Sequence, residues 1–439
     1  MLDPLYTAEE MREAEAGHDI DAMMERAGRA VAEVVLERYP SARKIACVCG
    51  GGANGGDGRI AARILREAGR DAREQLVDDA DLVVDALFGT GFHGEPRPYA
   101  AALIESMNGA GAPVVAVDVP SGVDASTGEV AGTAVRAELT VTMHAPKVGL
   151  VVAPGRFHAG EVAAVDIGIE HGETRHRLVT EEILEHVPRR QEGDNKYTAG
   201  AVAVVGGAPG LTGAVCLAAE AAFRADAGYV AVAVPEASLP VIELRLLEAV
   251  KRPLGEIDEV LPRMRALALG PGLGRGDEER ALVRRLLRKT SLPAVVDADA
   301  LHELQPFERD APTVLTPHEG ELARLLGEES EWVAAHRLEA LRRGVERFGC
   351  VVLLKGADTL VGAPGQDVLV RAANAPGLAT AGTGDVLTGI VAAFLAKGMD
   401  ARLAAAAAAM AQARAALLAP QQAGLVASDV IAHLPAALA

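Results

Sequence analysis

The sequence predicts an α/β protein of two domains, each a parallel β-sheet flanked by helices. Three observations predict this class. The chain has 439 residues, enough for about two or three domains, and half of them are hydrophobic. Short apolar runs alternate with segments of helical periodicity in both halves, which is typical of strand–helix–strand units. Glycine-rich turns follow several of these runs.

The first half predicts two helices and then five strands. The helices occupy residues 7–38, where Thr7 and Glu10 have the spacing of a capping box. The strands are predicted at residues 44–49, 81–88, 113–120, 138–145 and 161–168. A polar segment, residues 170–195, lacks strand-like runs and joins the two halves. We therefore predict domains of residues 1–188 and 189–439.

The second half predicts six strands, at residues 201–206, 229–234, 266–270, 294–297, 313–316 and 351–355. Its most hydrophobic tract, residues 403–419, is mostly alanine and contains Arg414. A membrane span needs about 20 strongly apolar residues. We therefore expect this tract to be a packed helix.

Charge and cysteine content restrict the partners and the compartment. The chain has 43 basic and 61 acidic residues, a net charge of −18, which argues against binding to nucleic acid or anionic membranes. Its four scattered cysteines fit neither a zinc site nor a disulfide framework. The first residues show no basic segment followed by an apolar core. We expect a cytoplasmic protein with small-molecule substrates.

The first chemical motif is the turn CGGGANGGDG at residues 49–58. Its glycines Gly50, Gly52 and Gly55 have the spacing of a dinucleotide-binding turn, which is a weak signal by itself. The residues that follow distinguish it. Asp57 is expected at the helix start, where its carboxylate caps amides or holds a ribose hydroxyl. Asn54 offers a carbonyl oxygen to a cation.

Two further loops follow later predicted strands, DALFGTG at residues 85–91 and DVPSGVD at residues 118–124. In an open parallel sheet, the loops after neighbouring strands line one crevice. We therefore expect Asn54, Asp85, Asp118 and Ser121 to converge. Oxygen ligands of this kind suit a hard cation rather than zinc. For any one carboxylate taken alone, a turn cap is the favoured role, whereas the three loops together favour a site.

The second half contains the motif NAPGLATAGTGDVLTG at residues 374–389. The amides of Gly382, Thr383 and Gly384 at the start of an apolar helix form a cradle for phosphate. Asp385 then stands where a carboxylate takes a proton from a hydroxyl that attacks a phosphoryl group. The alternative role for Asp385 is a helix cap.

The motifs of the first half resemble those of the NAD(P)H-hydrate epimerase domain. They are residues 24–28 (MERAG), the ANGGDG turn, DALFGTG, DVPSGVD and residues 145–150 (APKVGL). The resemblance implies a Rossmann-like three-layer sandwich and potassium bound by Asn54, Asp85 and Ser121. It also implies that the hydrated dinucleotide contacts Ala53, Asn54, Gly55, Gly56, Asp57, Gly89, Thr90, Gly91, Phe92, His93, Gly94, Glu95 and Asp118.

Asp118 is the candidate acid/base of this domain. Lys147 either assists it or pairs with a phosphate. Two departures from the family pattern concern this half: Ala53 replaces an asparagine, and residues 69–80 leave no room for an additional strand and helix that the family has. They keep open a non-catalytic role for the first domain.

The second half resembles the ribokinase-like superfamily and, within it, the ADP/ATP-dependent NAD(P)H-hydrate dehydratase. The motifs are residues 195–196, 205–207, 211–214, 270–274, 297–301 and 315–321, with Asp385 as the base. The resemblance implies an α/β/α sandwich in which the substrate contacts Ala214, Gly272, His318 and Asp385. The implied nucleotide contacts are Lys355, Gly356, Ala357, Asp358, Thr359, Ala375, Pro376, Gly377, Leu378, Ala379, Thr380, Ala381, Gly382, Thr383 and Gly384.

Together the halves predict a bifunctional repair enzyme. One domain interconverts the R and S forms of NAD(P)H hydrate, and the other dehydrates the S form at the expense of ADP or ATP, giving AMP or ADP and phosphate. The resemblance favours ADP, with Mg²⁺ and K⁺ as cofactors, and we expect a homo-oligomer. The alternative is a ribokinase-like kinase for a vitamin precursor with a non-catalytic N-terminal binding module.

Overall fold

The computed structural model describes all residues from Met1 to Ala439. The chain forms two compact units, which we describe separately. The N-terminal unit comprises Pro4–Arg177 and Ala334–Arg337, and the C-terminal unit comprises Met1–Asp3, Leu178–Val333 and Leu338–Ala439. The division therefore precedes the boundary predicted at residues 188 and 189. The reason is that Ile183, Leu184 and Val187 belong to the hydrophobic core of the C-terminal unit.

Eight strands and five α-helices precede residue 180. In chain order they are β1 (Leu2–Leu5), α1 (Ala8–Glu15), α2 (Ile20–Arg38), β2 (Lys44–Cys49), α3 (Ala53–Glu67), β3 (Asp71–Arg73), β4 (Leu82–Ala86), α4 (Pro98–Asn108), β5 (Val114–Val117), β6 (Leu139–Met143), α5 (Arg156–Ala159), β7 (Glu161–Val165) and β8 (His176–Val179). The two predicted helices are confirmed, and so is the capping box, in which Glu10 N donates to Thr7 Oγ1 and Thr7 N donates to Glu10 Oε2.

The N-terminal unit is a three-layer sandwich around a six-stranded parallel sheet of order β3-β2-β4-β5-β6-β7. Strand side chains alternate between its faces. Ile45 and Cys47 join the core formed with α2 and α3, whereas Ala46 and Val48 join the core that includes Ile104 of α4. This parallel arrangement brings the loops after β2, β4 and β5 to the carboxyl edge of the sheet.

The five predicted strands of this half are confirmed, and the structure adds three that the sequence did not reveal, β1, β3 and β8. The short connection at residues 69–80 contains the edge strand β3, which pairs with β2. The prediction of no strand in residues 170–195 is wrong, because β8 lies there. All three are short segments without a sustained apolar run, and pairing with neighbouring strands makes them strands.

The C-terminal unit contains the remaining elements. They are β9 (Ala201–Val205), α6 (Thr212–Arg224), β10 (Tyr229–Val234), α7 (Leu239–Arg245), β11 (Val250–Pro253), α8 (Ile257–Val260), β12 (Ala266–Leu269), α9 (Asp277–Lys289), β13 (Ala294–Val296), β14 (Thr313–Leu315), α10 (Glu319–Leu326), α11 (Ser330–Ala335), α12 (Arg337–Phe348), β15 (Val351–Leu354), β16 (Thr359–Gly362), β17 (Val368–Arg371), α13 (Thr383–Ala396), α14 (Ala401–Leu418) and α15 (Ala427–Ala437). Residues Ala334–Arg337, at the end of α11 and the start of α12, are the exception, because they belong to the N-terminal unit.

The sheet of this unit has the order β1-β8-β17-β16-β15-β14-β13-β12-β9-β10-β11. Strands β9 to β15 pair in parallel, while β16 pairs antiparallel with β15 and β17. The six predicted strands are confirmed. Strands β11, β16 and β17 were missed because glycine, proline and charged residues interrupt their apolar pattern.

One face of this sheet is covered by α6, α13, α14 and α15, whose side chains share a single core. Helix α13 is buried all round from Val386 to Ala396, and the alanine-rich α14 is buried along most of its length, as predicted for a packed helix. None of the helices in the protein combines the length and apolarity needed to cross a membrane.

Substitution of Gly389 tests the close contact between α13 and α6. A Cβ at this position would lie 2.1 Å from the carbonyl oxygen of Ala218. We expect Gly389→Ala to destabilise the C-terminal unit by about 1–3 kcal/mol, because neither helix backbone has room to move. The control is Gly213→Ala in α6, where a Cβ would meet nothing within 4 Å. Hydrogen exchange of α6 and α13 amides measures the effect, and equal protection in both variants would contradict the packing argument.

Candidate active sites

The glycine turn of the N-terminal unit is shaped by close approaches of backbone. A Cβ at Gly50 would lie 2.0 Å from the carbonyl oxygen of Leu87, and one at Gly55 would lie 1.9 Å from that of Gly50. Gly51 and Gly52 border open space instead. Helix α3 starts directly after the turn, and its N-cap, Gly52, provides no side-chain hydrogen bond. The first amides of α3 are therefore available to a ligand.

Asp57 does not cap this helix. Because α3 begins at Ala53, Asp57 is its fifth residue, and the sequence-based expectation of a carboxylate at the helix start is wrong. The helix begins directly after Gly52, which has no side chain to cap it. The whole ANGGDG segment therefore lies inside the helix. The side chain of Asp57 instead lines a cavity.

This cavity has a volume of about 620 Å³ and collects the loops after β2, β4 and β5. It is lined by Glu15, Ile20, Met23, Met24, Ala27, Gly50, Gly51, Gly52, Ala53, Asn54, Asp57, Leu87, Phe88, Gly89, Thr90, Gly91, Phe92, His93, Asp118, Met143 and Ile167. Eight of the predicted substrate contacts thus share one cavity with Asp118. Gly55, Gly56, Gly94 and Glu95 are not in its lining, and Gly55 and Gly56 are buried in α3.

Sequence reasoning missed the contribution of the first two helices. Glu15 ends α1, and Met23 and Met24 come from the first turns of α2, so these helices close one side of the cavity. Nothing in the sequence around Glu15 distinguishes it from the other acidic residues of α1. Only the packing of the helices on the sheet brings it to the site.

Asp118 and Lys147 form a buried ion pair at this cavity. Lys147 is fully buried, and its Nζ donates to Asp118 Oδ1 at 2.6 Å, to Met143 O at 2.7 Å and to Thr142 Oγ1 at 3.0 Å. All three ammonium protons therefore have acceptors. Asp118 adopts φ 67°, a left-handed conformation that is rare for residues other than glycine. Such strain is typical of functional positions.

A second buried carboxylate, Asp85, lies next to the loops after β4 and β5. It accepts hydrogen bonds from Ser121 N at 2.8 Å and from Ser121 Oγ at 2.7 Å. Burial nevertheless raises the pKa of Asp85 to about 6. Asn54 donates from Nδ2 to Phe88 O at 2.7 Å, while its Oδ1 is buried without a hydrogen-bond partner. Two of the three predicted potassium ligands therefore have buried oxygens that a cation would stabilise. Asn54 Oδ1 has no hydrogen-bond partner, and burial raises the pKa of the Asp85 carboxyl group.

Two cavity-lining carboxyl groups have raised pKa values. Burial, together with the negative charge of Asp118, raises the pKa of Asp57 to about 8. Burial and Asp118 also raise the pKa of Glu15 above its usual range. Lys147 opposes both effects without cancelling them. At neutral pH this cavity therefore holds a protonated Asp57.

In the C-terminal unit, the start of α13 is likewise free of a side-chain cap. Its N-cap is Gly382, at φ 90°, a conformation that favours glycine. Thr383 fixes this turn by donating from Oγ1 to the carbonyl oxygens of Leu378 and Thr380, both at 2.8 Å. Gln412 Nε2 donates to Thr383 O at 2.5 Å. Thr383 N makes a long hydrogen bond to Thr380 O, at 3.4 Å. The turn is therefore held in place, and the amides of Gly382 and Gly384 are left open to an anion.

Asp385 lies in the first turn of α13, beside a buried ion pair. Burial, with the charge of Asp297, raises the pKa of Asp385 to about 7, and Lys355 opposes the shift. Asp297 accepts from Lys355 Nζ at 2.7 Å and from Thr388 Oγ1 at 2.6 Å. For Lys355, burial lowers the pKa, but Asp297 and Glu321 outweigh burial and the pKa is raised.

The predicted substrate contacts of this unit follow several strands. Ala214 and Gly272 are adjacent, since a Cβ at Gly272 would lie 3.2 Å from that of Ala214. His318 caps α10: its Nδ1 accepts from Gly320 N at 3.0 Å, and its side chain is 55% exposed. The capping role leaves Nε2 as the ring atom available to a ligand, 3.5 Å from Glu321 Oε1.

The predicted nucleotide segments differ in exposure. Gly356 and Ala357 are exposed between β15 and β16, whereas Asp358 and Thr359 are buried, and Thr359 Oγ1 accepts from Arg371 Nη2 at 2.7 Å. In the second segment, residues 376–378 form a 3-10 helix and the rest is exposed or half-buried up to Gly382. Direct contact with a ligand is therefore open to Gly356 and Ala357 and less so to the two buried residues.

Comparisons with known proteins match both halves of the chain. The family model described as NAD(P)H-hydrate dehydratase matches residues 202–435. The model described as YjeF-related protein N-terminus matches residues 20–77 and 66–149. A bifunctional NAD(P)H-hydrate repair enzyme of Moorella thermoacetica is 37% identical over 483 aligned residues, covering 94% of this chain and 91% of the relative.

The chain belongs to the family of bifunctional NAD(P)H-hydrate repair enzymes. The Vibrio cholerae member is 36% identical and covers 98% of this chain and 97% of its own length. Among solved structures, the ADP/ATP-dependent NAD(P)H-hydrate dehydratase of Bacillus subtilis, co-crystallised with ATP/Mg²⁺, is 28% identical with a TM-score of 0.55 and covers 59% of this chain and 96% of that one. Members of the repair family match the epimerase-like and dehydratase-like halves together, so the alternative of a vitamin-precursor kinase with an accessory module is not supported.

Lys147 provides a test of the buried ion pair in this family member. We expect Lys147→Met to destabilise the N-terminal unit by about 3–5 kcal/mol, because Asp118 would keep a buried charge without its partner. The double variant Lys147→Met/Asp118→Asn, which removes the charge and keeps a residue that tolerates the left-handed backbone, should recover much of the loss. Lys44→Met, which removes an exposed pair with Asp79, is the matched control and should change little. Hydrogen exchange of β5 and β6 amides measures the effect, and a double variant as unstable as the single one would refute the explanation.

Proposed function

We propose that the two units carry the two activities of the family on the residues described above: the N-terminal cavity epimerises NAD(P)H hydrate, and the start of α13 dehydrates the S form with ADP or ATP. The observation that carries the second assignment is Asp385 in the first turn of an uncapped helix. Because its pKa is raised to about 7, Asp385 can accept a proton readily at neutral pH.

Dehydration then needs one phosphoryl transfer and the loss of two protons, one from the 6-hydroxyl and one from carbon 5. Asp385 takes the proton of the 6-hydroxyl as its oxygen attacks the terminal phosphorus of the nucleotide. The amides of Gly382, Thr383 and Gly384 hold the transferred phosphoryl group. Phosphate leaves carbon 6 more easily than hydroxide, and the lone pair of the ring nitrogen expels it to give an iminium ion. Carbon 5 then loses a proton to the departing phosphate, which forms the C5–C6 double bond and regenerates NAD(P)H. The products are AMP or ADP and phosphate.

Magnesium would enter with the nucleotide and neutralise its phosphates. Both oxygens of Asp297 accept hydrogen bonds, and Asp299 accepts from Arg275 Nε at 2.7 Å and Gly274 N at 3.0 Å. These carboxylates are therefore already engaged. This arrangement fits a magnesium ion bound through nucleotide oxygens and water rather than in a dedicated protein cage.

In the N-terminal cavity, Asp118 is the proposed base beside the nicotinamide ring. It is ion-paired with Lys147, and as the base it accepts a proton from water and stabilises the positive charge that develops on the ring. Lys147 has all its protons engaged, so it positions Asp118 rather than transferring a proton itself. The remaining substrate and nucleotide contacts are proposed as the resemblance implies them, with the buried Asp358 and Thr359 supporting the loop.

Potassium at Asn54, Asp85 and Ser121 is supported by the donor set. Asn54 Oδ1 is a buried oxygen without a partner, and Asp85 is a buried carboxylate whose pKa is raised. A monovalent cation would satisfy both, and oxygen ligands suit a hard ion. Its contribution would be to fix the loops after β2, β4 and β5 around the substrate.

We also propose that the protein is a cytoplasmic homo-oligomer that binds no nucleic acid. The free cysteines support a reducing compartment. The exposed apolar side chains of Val241, Leu244 and Leu247, on and after α7, support subunit contacts. The net charge of −18 supports the absence of nucleic-acid binding.

Replacing Asp385 tests the dehydratase assignment. With prepared S-form NADPH hydrate, magnesium and ADP or ATP, we expect the wild type to regenerate NADPH at a rate that falls as the pH drops below about 7, because the base becomes protonated. Asp385→Asn should lower the rate by roughly 10²- to 10⁴-fold while nucleotide binding persists. The control is Asp310→Asn, an exposed carboxylate of the same unit. Near-normal turnover by the asparagine variant would eliminate Asp385 as the base.

Replacing potassium tests the cation site without an activity readout. We expect K⁺ to raise the thermal stability of the N-terminal unit relative to tetramethylammonium at equal ionic strength, because an ion that binds only the folded state stabilises it. Asn54→Ala should abolish the difference, while Asn108→Ala, on α4 outside the cavity lining, should retain it. If K⁺ and tetramethylammonium give the same unfolding temperature for the wild type, no such site exists.

A further inference from the structure

Epimerisation at carbon 6 needs a proton donor as well as a base. The hydroxyl leaves the ring only if its oxygen gains a proton, since hydroxide is a poor leaving group. Of the charged groups at the cavity, Lys147 is fully buried and donates to three acceptors, and Asp118 accepts one of those bonds. Neither is free to donate a proton to the substrate, which leaves Glu15, at the end of α1, and Asp57, beside the glycine turn, as the other carboxyl groups of the lining.

Asp57 meets the requirement. It lies in the first half of α3, lines the same cavity as Asp118 and makes no hydrogen bond within the protein. The groups that face it are Glu15 at the end of α1, Asp118 after β5, Lys147 after β6 and His93 in the loop after β4. The nearest charges, Asp118 and Glu15, are negative and favour its protonated form, and burial raises its pKa to about 8.

The surroundings of Asp118 and Asp57 therefore differ, as is expected when one carboxyl group acts as a base and the other as an acid. Asp118 is ion-paired with a buried lysine at 2.6 Å, whereas Asp57 is desolvated and has no such partner. Two carboxyl groups whose surroundings separate their pKa values commonly divide the roles of acid and base in one active site. We propose that Asp57 is the general acid of the epimerase reaction and that Asp118 is its paired base.

This proposal rests on the proposed epimerase function of the cavity. The carboxyl proton of Asp57 passes to the leaving hydroxyl, the C6–O bond breaks, and the nitrogen lone pair forms a C=N bond, which releases water. Water then adds to carbon 6 from the other face and gives a proton to Asp118, and the electron pair of the C=N bond returns to nitrogen. Transfer of one proton from Asp118 back to Asp57 through water restores both groups.

The experiment uses the full chain and a mixture of R- and S-form NADPH hydrate with ADP, magnesium and saturating K⁺, and both forms are followed by chromatography. The wild type should consume both. Asp57→Asn should consume the S form at the wild-type rate, which also reports that the chain is folded. It should convert the R form roughly 10²- to 10⁴-fold more slowly, because the amide donates no proton. Asp57→Glu should restore part of the rate, and Glu67→Gln, a solvent-exposed position on the same helix, should match the wild type.

The pH profile separates proton donation from a purely structural role. Wild-type conversion of the R form should decline as the pH rises through about 8, where Asp57 loses its proton, and this decline should be absent from the residual rate of Asp57→Asn. Conversion of the R form by Asp57→Asn at the wild-type rate would overturn the proposal. A wild type that consumes the R form no faster than the uncatalysed reaction would instead overturn the epimerase function itself.

Discussion

Both candidate sites depend on a helix whose first turn has no side-chain cap. Helices α3 and α13 each begin at a glycine N-cap that offers no hydrogen bond. Their first amides thus remain unsatisfied at the carboxyl edge of a parallel sheet. Unpaired N–H groups and the positive end of the helix dipole favour an anion there. A capping serine or aspartate would stabilise the free protein and occupy the place that a phosphate needs.

Each site also pairs one carboxylate with a lysine, fully buried for Lys147 and half-buried for Lys355, and leaves a second carboxylate without such a partner. Asp118 and Asp297 are the paired groups, with Nζ–O distances of 2.6 and 2.7 Å. Asp57 and Asp385 are the neighbours, and burial raises their pKa values to about 8 and about 7. The paired carboxylate adds a negative charge that shifts the pKa of its neighbour in the same direction as burial. In this way each site obtains a group that exchanges protons near neutral pH.

The two halves differ in how their sites are enclosed. In the N-terminal unit, α1 and α2 contribute Glu15 and two methionines to a cavity of about 620 Å³. The side chains that these helices add bury Asp57 more deeply, which strengthens the electrostatic effects on it. In the C-terminal unit the groups around Asp385 come from the ends of β13 and β15 and the first turns of α10 and α13. A site of this kind suits a nucleotide whose phosphates must reach the helix amides.

The sequence by itself determined the fold class, the main strands and the motifs, because apolar periodicity and glycine-rich turns are local properties. It also determined the family through motifs in both halves. It did not reveal β1, β3 or β8, whose pairing depends on neighbouring strands, and it misplaced Asp57, because the start of α3 is set by an uncapped glycine. Only the tertiary structure decided that Lys147 is engaged by three acceptors, that Glu15 reaches the cavity and that Asp57 lies unpaired beside Asp118. Burial and charge at these positions come from residues distant in the chain, and no local pattern encodes them.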